Sequence, residues 1–273
     1  MKNKSMLLLL LILIFTSCEQ NKEKAPATDM TRNNLTMATL YSHYAQEYKA
    51  LAYQAFNIAK LRLDEQIKIN KNKKLAVIVD IDETVLDNSP YQAYSIAQNT
   101  GYPECWNEWC NLAEAKAVPG AVEFLNYAAD SGVDVFYVSN RKEKYVAQAT
   151  LKNLIDVGFP QVVPSHILLR KEKSDENPNP SDKQSRREKI VSQGYEIALL
   201  IGDNLGDFYT DEENYSERSA QVEEYQQHFG DKFIVLPNAM YGNWVSALNA
   251  YKPEIVDSLI DAAAGGLKET CRK

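Results

Sequence analysis

The chain has 273 residues, 45% of them hydrophobic, and a formal net charge of −7 at pH 7. That length and apolar content suffice for one sizeable core, or for one core with an inserted cap. The acidic balance excludes broad binding to a nucleic-acid polymer, though not a local basic pocket for one phosphate.

The amino terminus reads as a targeting signal. Lys2 and Lys4 precede an apolar run from Met6 to Phe15, too short to span a bilayer comfortably. Phe15-Thr16-Ser17-Cys18 follows, and then polar Glu19-Gln20-Asn21-Lys22. Small residues before a cysteine at this place resemble a bacterial lipoprotein signal over residues 1–17, cleaved before Cys18. An ordinary signal peptide with a chance cysteine is the alternative. Acyl chains on Cys18 would hold the protein on a membrane at about 0.8 kcal/mol per buried methylene. Residues 18–33 are polar and aperiodic and read as a tether, with one domain over 34–273.

From about residue 34 to 69 the pattern is helical, with Leu40, Tyr44, Tyr48, Leu51, Ala55 and Ile58 on one face. That face is expected to pack on the core or on a partner. Leu75 to Val79 is an apolar run of the kind that forms a strand buried on both faces. It runs straight into Asp80-Ile81-Asp82-Glu83-Thr84. Residues 88–117 are rich in Tyr and Trp and lack strand alternation. Pro119-Gly120 is expected to open a helix over 119–130 with proline in its first turn, ended by Gly132. Val133 to Ser139 reads as a second strand. A helix over 142–157 follows, with Ala147, Leu151, Leu154 and Ile155 as its buried stripe and Gly158 as its cap. His166 to Arg170 is a third strand. After a polar loop over 172–180, Ser181 is expected to cap a helix over 182–193, closed by Gly194. Ile197 to Ile201 is a fourth strand, ending in Gly202-Asp203, and Phe233 to Leu236 is a fifth. Strands alternating with helices predict an α/β fold with a parallel sheet and right-handed crossovers.

Two of Cys105, Cys110 and Cys271 could pair in an exported protein, with connectivity open. No Cys/His spacing suggests zinc. His43, His166 and His228 are scattered and read as surface or structural residues.

Four segments place polar groups at strand ends or helix starts. They are Asp80 to Thr84, Ser139-Asn140-Arg141, Lys183, and Gly202-Asp203-Asn204-Leu205-Gly206-Asp207. In a parallel sheet all four can converge at one carboxyl edge. Two carboxylates placed there cost desolvation energy unless a cation or proton compensates them. The types suit phosphoryl transfer. A carboxylate can attack phosphorus, a second can move protons, and a lysine can hold nucleophile and phosphate together. Oxygen ligands suit magnesium. Hydroxyl and backbone N–H groups can bind the remaining phosphate oxygens.

This set resembles the haloacid dehalogenase superfamily of phosphohydrolases. Longer blocks narrow the resemblance: residues 80–91, 117–124, Val138-Ser-Asn-Arg141, 202–208 and Leu236-Pro-Asn-Ala-Met-Tyr-Gly242. They look like the class C acid phosphatases, bacterial outer-membrane lipoproteins also called the 5′-nucleotidase lipoprotein family. The resemblance covers roughly residues 35–255. It implies a Rossmannoid parallel sheet flanked by helices. It also implies a small, mostly helical cap, placed on the N-terminal helix and residues 88–117. By position it implies Asp80 as nucleophile and Mg2+ ligand. Asp82 becomes the general acid/base, offering its backbone carbonyl to the metal, and Asp203 the third metal ligand. Ser139 and Asn140 become phosphate binders and Lys183 the stabilising lysine, with Lys171 and Lys173 as rivals. Asp207 and Thr84 would support the metal site.

The aromatics Tyr91, Tyr94, Tyr102, Trp106 and Trp109 crowd the segment after the first motif. They read either as a packed cap or subunit contact, expected for Trp109 and Tyr94, or as a stacking slot. The resemblance implies a slot involving Trp106, Tyr241 and Tyr102. Such a slot would accept many bases, since base–aromatic stacking is worth about 1–3 kcal/mol whatever the base. The activity implied is a Mg2+-dependent acid phosphomonoesterase of the bacterial envelope. Its substrates would be small phosphomonoesters: nucleoside 5′-monophosphates, including nicotinamide mononucleotide, and aryl phosphates. An aspartyl-phosphate intermediate and an acidic optimum are expected. A phosphotransferase on the same scaffold, an inactive storage-type relative, and a surface lipoprotein binding haem or another ligand are the alternatives. A homodimer anchored to the outer membrane is expected from the family.

Overall fold

The computed structural model describes residues 30–174, 178–210 and 214–248. Cys18, the signal, most of the tether and Cys271 lie outside the described residues. Among the described residues, no helix is long and apolar enough to cross a membrane.

Two helices replace the single expected one: α1 (Met30–Tyr44) and α2 (Gln46–Ile69), separated by Ala45 in an extended conformation. The break resets the helical phase, so the expected face holds for Tyr48, Ala55 and Ile58 on α2 and fails for the other three residues. Leu40, Tyr44 and Leu51 are exposed, while α2 buries Tyr48, Ala52, Ala55, Phe56, Ala59 and Leu63. Small alanines let α2 approach the core closely, and their weak hydropathy hid that face. The helix α1 starts inside the expected tether.

The strands follow as β1 (Lys74–Val79), β2 (Leu86–Asp87), β3 (Lys116–Ala117), β4 (Asp134–Lys142), β5 (Ile167–Arg170), β6 (Tyr195–Gly202) and β7 (Phe233–Val235). Five of them form one parallel sheet, in the order β5-β4-β1-β6-β7. Alternate residues serve two layers. Leu75, Val77 and Val79 join Val135, Tyr137, Leu199 and Ile201 in one core, while Ala76 and Ile78 join Phe136, Val138 and Leu200 in the other. Burial on both faces explains why these strands read as apolar runs.

The larger core is covered by α2, α5 (Ala121–Asp130) and α6 (Glu143–Val157), and the other by α7 (Gln184–Ser192). Gly120, at φ +88°, caps α5, so Pro119 lies before the helix and not in its first turn. A side chain at Gly120 would also press on Tyr53 and Phe56. The buried stripe of α6 is Val146, Thr150, Asn153 and Leu154, with Ile155 exposed and Gly158 capping as expected. The cap residue of α7 is Lys183, not Ser181.

Between β2 and β3 the chain makes an excursion carrying α3 (Ser89–Gln98) and α4 (Trp106–Leu112). Its two ends pair antiparallel, Leu86 with Ala117 and Asp87 with Lys116. Cys105 and Cys110 in it are free thiols. The helices α8 (Tyr215–Glu224) and α9 (Asn243–Ala247) complete the described chain. Leu63 is fully buried in the larger core. Leu63→Ala should therefore lower stability by about 2–5 kcal/mol in urea unfolding.

Candidate active site

Register places the polar segments together. Val79 pairs with Tyr137 and with Ile201, so Asp80, Ser139 and Asp203 sit at one carboxyl edge. The carboxylates of Asp80, Asp203 and Asp207 lie within 4.8 Å of one another, an arrangement able to hold a metal ion. Lys183 bonds to Asp80 and, at 2.5 Å, to Asp207, from its place at the start of α7. Lys171 and Lys173 are exposed. The second oxygen of Asp207 accepts the Asn204 N–H at 2.9 Å. Asp203 accepts from Asn238 at 2.7 Å and meets the Thr84 hydroxyl at 3.4 Å.

Charge is in excess at this edge. Burial pushes Asp80 up to about 7 against the pull of Lys183, and Asp207 and Asp82 add to the rise. Asp203 is driven well above the usual carboxylate range by burial, then by Asp207 and Asp80. Burial opposes the charge on Lys183, but Asp207 and Asp80 outweigh it and hold the ammonium above its ordinary value. A divalent cation would relieve this excess, and three carboxylates are the hard oxygen donors that such an ion takes.

Asp82 occupies a separate environment. Its Oδ1 accepts from Arg141 Nε and Asn88 Nδ2, each at 2.9 Å, and forms an ion pair with Arg141 Nη2 at 2.8 Å. Its Oδ2 accepts from the Ser139 hydroxyl at 3.3 Å. Arg141 is 1% exposed and reaches inward because β4 runs three residues further than expected. The pairing of β4 with β5 shifts between Ser139 and Lys142, an irregularity of the kind that re-aims side chains. The loop before Asn88 turns at Glu83, whose φ is +57°. The buried Glu83 carboxylate accepts the Asn88 N–H at 2.7 Å. Burial raises Glu83 well above the usual range, with Asp82 and Asp203 adding.

Asn140 is exposed and its side chain turns outward, donating to the Ser181 carbonyl and accepting from Arg186. The structure does not bring that side chain to the carboxylates. Arg186 also donates to the Ser139 carbonyl at 2.7 Å. On the cap, Trp106 meets Tyr91 at 4.9 Å and Tyr102 at 6.1 Å, and Tyr102 is 61% exposed. Tyr241 lies on a different segment, the loop after β7 that also carries Asn238. Glu83, Asn88, Arg141, Arg186 and Asn238 make site contacts to which the motifs alone assign no role. Four of the five stand in or beside the quoted blocks, which was the signal available.

Gly202 faces Asp207 so closely that an added Cβ would overlap its side chain. Gly202→Ala should destabilise by about 1–3 kcal/mol in urea unfolding. Gly101→Ala, whose Cβ would meet nothing within 4 Å, is the control. A second expectation concerns pH. A carboxyl raised above its ordinary value of 3.8 favours folding below that value and loses this contribution as pH rises through about 7. Metal-free protein should lose thermal stability as pH rises from about 5 to 8, and a divalent cation should restore it, as melting scans would read.

A family model described as HAD superfamily, subfamily IIIB (Acid phosphatase), matches residues 14–244. The structure of the class C acid phosphatase from Bacillus anthracis is 41% identical, with a TM-score of 0.73 over 86% of this chain and 95% of that one. The same enzyme with tungstate bound gives 42% identity and a TM-score of 0.74, covering 86% and 98%. The stem 28 kDa glycoprotein of Glycine max is 27% identical over 170 residues, 60% of this chain. The chain spans 61% of that relative's length. A family match over most of the chain, carried on the same parallel sheet, places it among the acid phosphatases of HAD subfamily IIIB.

Proposed function

We propose that the chain is a Mg2+-dependent acid phosphomonoesterase acting through an aspartyl-phosphate intermediate. The observation that carries the reading is Lys183, held between Asp80 and Asp207 beside Asp203 at one sheet edge. Mg2+ on Asp80, Asp203 and the Asp82 carbonyl, supported by Asp207 and Thr84, would supply charge neutralisation for the phosphoryl group. An Asp80 oxygen attacks phosphorus as the ester P–O bond breaks. Asp82 gives its proton to the leaving oxygen, then takes one from the water that attacks the aspartyl phosphate. Phosphate leaves and Asp80 is restored. Lys183 balances the charge on Asp80, and Ser139 and Asn140 are proposed to hold phosphate oxygens, Asn140 through its backbone because its side chain turns outward. Tungstate, a tetrahedral oxyanion like phosphate, is bound by the similar Bacillus anthracis protein.

The leaving groups proposed are nucleosides and phenols, stacked by Trp106, Tyr102 and Tyr241. Nucleoside 5′-monophosphates, nicotinamide mononucleotide among them, fit such a slot because stacking tolerates any base. The setting proposed is the bacterial envelope, with the protein held on the outer membrane through lipid on Cys18 and paired as a homodimer. Asp80→Asn should abolish hydrolysis of an aryl phosphate, and excess chelator should do the same reversibly with Mg2+. Full activity in either condition, read as released phosphate, would sink the reading.

A further inference from the structure

The cap helix α4 bears on the second carboxylate as well as on the aromatic face. Asn88 is fully buried between them. Its Oδ1 accepts the Trp109 indole N–H at 2.8 Å and faces Arg141 Nη2 at 3.4 Å. An indole N–H and a guanidinium can only donate. They therefore force the amide oxygen of Asn88 toward themselves and its NH2 group toward the carboxylates. That NH2 donates to Asp82 Oδ1 at 2.9 Å and to Glu83 at 3.4 Å. With the Arg141 Nε–H bond at 2.9 Å and the Nη2 ion-pair contact at 2.8 Å besides, Oδ1 is surrounded by groups that need it unprotonated. The other oxygen, Oδ2, meets only the Ser139 hydroxyl, at 3.3 Å, among the described residues. The Asp82 side chain is 16% exposed, so this second oxygen is the one left for the reacting group.

We infer that Trp109, acting through Asn88, is a positioning residue for Asp82: it locks Oδ1 as an acceptor and leaves Oδ2 to carry the proton. Trp106, one turn earlier on α4, lies over the Arg141 guanidinium at 5.9 Å, so the aromatic face and the proton-carrying carboxylate share one short helix. In the reaction, the Oδ2–H bond breaks as the leaving oxygen takes its proton. The same Oδ2 accepts a proton from water in the second step. The inference rests on Asp82 being the general acid/base.

The test uses the full chain with Mg2+ and a series of phosphate esters, from nitrophenyl phosphate to phenyl and alkyl phosphates. A poor leaving group needs the proton most, so misplacing it skews kcat along the series. Trp109→Phe keeps the ring and removes the donor. It should lower kcat about three- to tenfold more on the poorest leaving group than on nitrophenyl phosphate, with KM nearly constant. Asn88→Ala should produce the same skew and serves if Trp109→Phe does not fold. Asp82→Asn should skew the series further, and the double variant W109F/D82N no more than D82N. An equal loss across the series in Trp109→Phe and Asn88→Ala, with the skew intact in Asp82→Asn, overturns the positioning role alone. No skew in Asp82→Asn overturns the acid assignment, and the inference falls with it.

Discussion

One ammonium group set against two buried carboxylates makes this sheet edge possible. Asp80 and Asp207 are both buried, and Asp203 stands beside them. Removing a carboxylate from water costs several kcal/mol even after relaxation. A whole domain is stable by only about 5–15 kcal/mol. Three such groups cannot be held without opposite charge, and Lys183 supplies part of it from the start of α7. The helix is fastened to the same place by Arg187, which donates to the carbonyls of Gly206 and Asp207 at 3.0 and 3.1 Å. Gly202 lacks a side chain where Asp207 fills the space. These local choices serve the accommodation of one lysine among acids, and what it leaves uncompensated is the case for a metal ion.

The two aspartates of the first motif, one residue apart, meet opposite kinds of cation. Asp80 faces a lysine, a compact point charge that can follow a carboxylate through a change of bonding. Asp82 faces an arginine, whose planar fork fixes orientation: Nε donates to one carboxylate oxygen, and Nη2 lies 2.8 Å from the same oxygen. Arg141 is itself fixed by Thr150 on α6 at 3.2 Å. In the proposed reaction Asp80 would need its charge balanced while it becomes an acyl phosphate. Asp82, as the proposed proton carrier, would need one oxygen kept in place and the other free. The pairing of lysine with the first and arginine with the second matches those needs.

The sheet was legible because both faces of its central strands are buried, so apolar runs such as Leu75 to Val79 carried the signal unaided. The carboxyl-edge residues Asp80, Asp82, Ser139, Lys183 and Asp203 were legible because each closes or follows an apolar run or stands at a helix start. What stayed hidden has physical causes. The strands β2 and β3 are two residues each, below any periodicity. The face of α2 is built on alanine, which packs closely but scores weakly. The α8 sequence, with Arg218 as its buried residue, offers no apolar stripe. Arg141 and Asn88 were in view, but a buried cation or amide is defined by its partners. Those partners lie on other segments, 59 residues away for Arg141 and Asp82. Asn140 shows the converse, since its neighbour Ser139 enters the site while its own side chain turns out.

The excursion between β2 and β3 is held at each of its ends and along its length. Its base is the Leu86–Ala117 and Asp87–Lys116 pairing. The helix α1 packs on α3, where His43 meets the Ser89 hydroxyl at 2.7 Å. The helix α4 packs on α6, and Asn153 of α6 donates to the Ala115 carbonyl at 2.8 Å. A cap fastened in this way is a poor candidate for wide opening. Any breadth toward the proposed leaving groups would then come from the character of its surface, since stacking on an aromatic face asks only for a flat partner. The same fastening keeps Trp109 at a fixed distance from Asn88. Rigidity in the cap thus sets the placement of the Asp82 carboxylate through Asn88, while the ring of Tyr102 stays exposed.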